Sequence, residues 1–219
     1  MVMHLGAVLD VPLRDRNTML SAAGFSNEYQ ERSLEEPEMK AIRHAVELLI
    51  ERHDPYPAFA IDRHWNVVRT TEVTGRMMMM LVDPATAPLD HGLNIMRMTL
   101  HPNGLRPWIV NWDEVASELI GRVHRDAAAY PNDMVLQELA EEMLSYPDVG
   151  DHLSAVDRDR VPGLVLPVHL KKDGFEVRTF STLTTIGSPL DITVQELMIE
   201  MLFPADEASD QTFQRLADE

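Results

Sequence analysis

"GLVLPVHLKKDGFEVRTFSTLTTIG", residues 163–187, consists of two extended runs rich in Val, Leu, Thr and Phe, interrupted at Lys172, Asp173 and Gly174. An Asp-Gly pair between such runs suits a two-residue hairpin turn, whose central residues both need positive φ. The spacing predicts a hairpin of two antiparallel strands. Pro167 has no N–H to give to a ladder, so the first run is expected to be an edge strand or to carry a bulge.

Working outward, "AFAID" and "WNVVRTT" (58–62 and 65–71), with a turn at Arg63 and His64, form a second strand pair. Before it, "EPEMKAIRHAVELLIERH" places Met39, Ile42, Val46 and Leu49 on one stripe behind Pro37, the pattern of an amphipathic helix. Between the strand pairs lie two helices. In one, Asn111 and Glu114 have capping-box spacing and Val115, Leu119, Val123 and Ala127 share a stripe; in the other the stripe is Leu136, Leu139, Ala140 and Met143. "DITVQELMIEMLFPAD" has Thr193 and Glu196 at capping-box spacing before an apolar run, and ends the order with a strand or a helix. Two groups of strands with helices inserted between them give an α+β domain: an antiparallel sheet with helices segregated to one face and room for a cavity between the layers.

Residues 1–24 read as two short helices, with Pro12 suited to a first turn and Gly24 to a helix end. Residues 25–36 are polar and without period, a linker. Residues 206–219 form an acidic tail, expected to be frayed or loosely helical.

The formal charge of -17 and the absence of cysteine exclude a basic nucleic-acid footprint, a disulfide framework and a thiol nucleophile. No run approaches the roughly 20 apolar residues of a membrane span and there is no secretory signal pattern, so a cytoplasmic protein without membrane contact is expected. The sequence contains no G-x-S-x-G, P-loop, G-x-G-x-x-G or H-E-x-x-H motif. His124, Arg125 and Asp126 match a kinase catalytic-loop string without the Gly-rich loop and Asp-Phe-Gly that must accompany it. The nine histidines lack metal-ligand spacing. No catalytic residue, metal or cofactor is assigned.

What remains is an apolar belt. "GRMMMMLV" (75–82) puts four methionines in a row, and Leu81, Ile95, Met96, Met98 and Leu100 extend it. On a helix, side chains about 100° apart cannot all face one neighbour. Methionine adapts to ligands of variable shape and is enriched at subunit interfaces, while ordinary core packing accounts for such a belt as well. Met78 and Leu81 are expected on the pocket side, with Met77 and Met80 toward neighbouring helices or a dimer partner. Arg97 and His101, four apart, can share a helix face and meet a carboxylate, and Asn111 is read as an N-cap before a ligand contact.

Four segments together, "DVPLRDRNTMLSAAGF", "PYPAFAIDRHWNVV", "TLHPNGLRPWIVNW" and "FSTLTTIGSPLDITVQELMIEMLFPAD", resemble the MmyB-like ligand-binding domain of XRE-type, lambda-repressor-like transcription regulators. The resemblance implies a PAS-like domain over 37–205 with a central antiparallel sheet. It implies a pocket for an apolar small molecule such as a fatty acid, a homodimer, and DNA contact only through a helix-turn-helix domain whose final helices residues 1–24 resemble. The candidate ligand contacts are Trp65, Met78, Leu81, Met96, Arg97, Leu100, His101, Asn111 and Phe180. Family members commonly follow "WNVV" with Ala-Ala-Asn, where this chain has Arg69, Thr70 and Thr71. A dimerisation module without a small-molecule ligand is the alternative reading.

Overall fold

The structure, a computed structural model, describes residues 1–149, 166–187 and 189–219, so residues 163–165 of the hairpin stretch lie outside the described residues. Strands β1 (Ala58–Ile61), β2 (Val67–Thr70), β3 (Pro167–Lys172), β4 (Phe175–Thr185) and β5 (Met198–Pro204) form one antiparallel sheet in the order β2-β1-β5-β4-β3. The β3–β4 hairpin turns on Asp173 (φ 44°) and Gly174 (φ 91°), both in the left-handed region that a tight two-residue turn demands. Pro167 begins β3, which is an edge strand.

The fold is α+β as expected, but helices are not confined to one face of the sheet: both faces are covered. Helix α3 (Lys40–Glu51) lays Val46 and Ile50 on Ala60, Leu197 and Ile199. On the opposite face lie α4 (Glu72–Leu81), α5 (Ile95–Leu100), α6 (Trp112–Ala129) and α7 (Met134–Ser145). Alternation divides the strands between the faces, sending Phe59 and Ile61 to the α6 side and Ala60 to the α3 side. The apolar stripe of α3 ends on Ile50 rather than Leu49, which is 39 % exposed, because a 3.6-residue turn carries the stripe from Val46 to i+4.

Near the carboxyl end one expectation is corrected and one left open is decided. The cap of the short helix α8 (Ile192–Glu196) is Asp191, whose Oδ1 accepts from Thr193 N at 3.0 Å, and not Thr193. The apolar run after α8 is strand β5, placed between β1 and β4; a central strand packed on both faces reads as a continuous apolar run and mimics a buried helix. The acidic tail is helix α9 (Glu207–Asp218), capped by Asp206, with Phe213 fully buried and Leu216 nearly so. Glu207 and Asp218 are exposed while Asp210 accepts from Tyr56 Oη, and Phe213 and Leu216 are the large apolar side chains that dock the helix.

At the amino end, α1 (Val2–Val8) and α2 (Leu13–Ala22) pack together, and Gly24 (φ 80°) ends α2 as expected. Helix α2 docks on α8: Gln195 Oε1 accepts from Leu13 N at 2.7 Å. The linker is tied to the same place, because Ile192 N donates to Gln30 O at 2.9 Å and Arg32 pairs with Asp191 at 2.9 Å.

Candidate functional site

The α6 side of the sheet holds two apolar clusters. The first joins Phe59, Ile61, Trp65, Met96 and Leu100 to Ile120, Val123 and Met143; the second joins Val73, Met77, Leu81 and Met98 to Val115, Leu170, Val177 and Phe213. Trp112 and Leu119 of α6 are half-buried and pack against both. Near this seam, strand alternation turns Met198, Glu200 and Leu202 of β5 toward α6, with Ser181 and Leu183 of β4 beside them. Met198, Leu202 and Ser181 are half-buried, and Leu183 is 42 % exposed. These side chains keep accessible surface next to a fully buried core.

Among the described residues, Glu200 is the one ionisable group on this part of the sheet face. Register puts Phe59 and Leu183 directly opposite it on the two neighbouring strands. Burial raises its pKa above the ordinary carboxylate range, and a hydrogen bond with Ser181 and the charge of Arg122 on α6 only partly offset this. Arg122 is itself shared, 3.7 Å from Glu118 and 5.7 Å from the Trp65 ring centroid.

The nine expected contacts fall in different places. Trp65, Met96 and Leu100 meet in the first cluster. Trp65 is in the turn before β2 with φ 66°, a costly conformation for a bulky residue, and its indole N–H donates to Asp126 at 3.2 Å. Leu81 is in the second cluster, where Met77 is buried beside it and Met78 only half-buried. Met79 and Met80 are 69 % and 43 % exposed. The buried pair is therefore Met77 and Leu81, related by i+4, and not Met78 and Leu81.

Arg97 and His101 do turn the same way, toward α7. Arg97 Nη2 lies 2.7 Å from Glu142, and His101 packs edge-on to Tyr146 at 5.0 Å. Although burial pushes Glu142 up, the Arg97 and Tyr146 hydrogen bonds and the Arg97 charge outweigh it and hold the carboxyl below its ordinary range. Asn111 precedes α6 but makes no side-chain cap; it joins α6 to the edge strand, donating to Pro167 O at 2.8 Å and accepting from His169 N at 3.0 Å. Phe180 stacks on Phe203 at 5.4 Å, on the face away from α6. Thr71 caps α4 and accepts from Ala58 N at 3.2 Å, a helix-start role that a short hydroxyl fills well.

Sequence reading missed Glu200 and an ion network. The signal for Glu200 was present: a lone acid inside "LMIEMLF", invisible as an interior group until that run is read as a strand. In the network, Glu196 of α8 accepts from Arg14 of α2 at 2.8 Å and from Arg63 at 3.0 Å. Arg63 also pairs with Asp133, the cap of α7, which His64 approaches at 3.0 Å. Arg14 reaches Glu31 of the linker. Beside the network opens a cleft of about 490 Å³ lined by residues such as Arg32, Asp62, Arg63, His64 and Glu196. None of the nine expected contacts lines it.

A family model for the MmyB-like transcription regulator ligand-binding domain matches residues 42–216. The chain belongs to this family. No curated protein matches. The match runs from α3 into α9, so it takes in the whole sheet, the seam beneath α6 and the docked tail helix. An MmyB-like ligand-binding domain is the sensing part of a transcription regulator. No helix among the described residues is long and apolar enough to cross a membrane.

Proposed function

We propose that this domain binds an apolar small molecule, a fatty acid or a compound of similar shape, at the seam beneath α6. The observation that carries the proposal is a group of half-buried apolar side chains in a family named for ligand binding: Trp112 and Leu119, which pack against both buried clusters, and Met198 and Leu202, which pack against the first. Trp65, Met96 and Leu100 back this seam on the first-cluster side. Filling it removes apolar surface from water at about 25 cal/mol per Å². The ion network on Glu196 supplies a route from the seam to α2, because α8 runs directly into β5. In a full-length cytoplasmic regulator the effector shifts the population of two arrangements of a dimeric helix-turn-helix domain, which alone contacts DNA; the shift is limited to the effector's differential affinity for the two states.

Native mass spectrometry of protein purified without denaturation, followed by extraction and identification of bound lipid, tests the reading. A long-chain compound at one per chain is expected. Protein that carries none and takes up no fatty acid in titration would overturn it.

A second reading, a dimerisation module with no effector, is favoured by the exposure of Met79 and Met80 on α4. Sedimentation of the wild type and of Met79→Glu separates the two: a dimer that the substitution dissociates supports it, and a monomeric wild type removes it.

A further inference from the structure

Glu200 occupies a central strand, where no edge lets its side chain escape to solvent. Phe59 and Leu183 flank it, and its polar company is Ser181 from β4 and Arg122 from α6. The side chain keeps some accessible surface although its carboxyl is enclosed. Between Met198 and Leu202 on the same face of β5, it is placed to meet a ligand that fills the seam. A carboxyl group in such surroundings stays neutral more readily than it finds a countercharge.

We propose that Glu200 receives the polar end of the effector and that this end binds uncharged, as an alcohol, an amide, or a carboxylic acid that keeps its proton. The inference rests on the seam beneath α6 being the effector site. Two carboxyl groups in contact cannot both ionise, so a fatty acid and Glu200 share one proton between them. A cationic head finds no charge on a neutral Glu200 and meets the like charge of Arg122. Around Glu200, β1 contributes Phe59, β4 contributes Ser181 and Leu183, and α6 contributes Arg122 with its partner Glu118.

The test is titration of the delipidated full chain with dodecanoic acid, 1-dodecanol and dodecylamine, read by tryptophan fluorescence across pH 5.5 to 8.5. Wild type is expected to bind the acid and the alcohol. Affinity for the acid should fall with rising pH once Glu200 itself has ionised, approaching tenfold per unit because one proton must then be taken up. Affinity for the alcohol should change by less than about threefold per unit, since a hydroxyl bonds either form of Glu200. Glu200→Gln keeps a donor but no shared proton, so it should bind the acid with its slope flattened; melting curves confirm that it is folded. An unchanged slope in Glu200→Gln, or tighter binding of dodecylamine than of dodecanol at pH values below the onset of the acid's slope, would overturn the inference and leave the seam reading standing. A wild type that takes up none of the three compounds refutes the seam reading itself.

Discussion

Replacing Arg63 with alanine removes the centre of the ion network. Its side chain is 13 % exposed and those of Asp133 and Glu196 are 14 % and 18 % exposed, so these are interior pairs. Breaking such a pair costs about 3–5 kcal/mol. Two features of this site lower the figure. Asp133 keeps His64 at 3.0 Å and Glu196 keeps Arg14 at 2.8 Å, so neither carboxylate is stranded. The buried Nε–H of Arg63 has no acceptor among the described residues, and deleting it relieves a cost of about 1–3 kcal/mol. Loss of the stacking on Tyr130 at 4.9 Å adds back about 0.5–1 kcal/mol. The balance is a destabilisation of about 2–3 kcal/mol, read as a lower urea midpoint at unchanged slope. Arg63→Lys should recover less than half of it, because an ammonium cannot bridge two carboxylates as a planar fork does. Amide exchange in α2 should quicken in both variants, since Arg14 then holds Glu196 alone. A loss under about 0.5 kcal/mol, or full rescue by lysine, would refute the reasoning.

Phe213→Ala should cost about 3–5 kcal/mol in the same urea assay, because it empties a fully buried site that docks the tail helix; Phe213 also meets Tyr56 edge-on at 6.2 Å. Within the methionine run, Met77→Ala should cost about 2–5 kcal/mol and Met79→Ala within about 0.5 kcal/mol of nothing, a contrast visible in melting temperatures. Asp133 and Glu142 are held below their ordinary range, so the stability they contribute is complete above about pH 4.3 and is lost as the pH falls through their folded values. Glu200 works in the opposite sense: its contribution is present below about pH 4.3 and is lost as the pH rises through its raised value. Denaturation at pH 4 and pH 7.5 should therefore show Glu200→Gln gaining stability relative to wild type at the higher pH.

Much of the architecture was legible because period and turn chemistry are local. Asp173 and Gly174 set the hairpin, the α7 stripe matches its four buried residues, and Gly24 ends α2 by accepting the φ a larger side chain resists. The same local rules misplace groups where two structures share one pattern. The run Met198–Phe203 reads as helix or strand until its place between β1 and β4 is known. Asn111 has the position and spacing of a cap, yet an edge strand 56 residues away offers its side chain a better pair of partners.

By itself, the sequence determined the class of the domain, its hairpin, its main helices and the resemblance to a sensing domain. Those follow from interactions among neighbours along the chain. Tertiary structure alone decided which side chains meet: that Met77 and not Met78 is buried with Leu81, that Phe180 faces away from α6, and that Glu200 faces toward it. The physical reason is parity. A one-residue choice on a strand, or 100° on a helix, reverses a side chain's direction, and only packing against distant elements makes that choice.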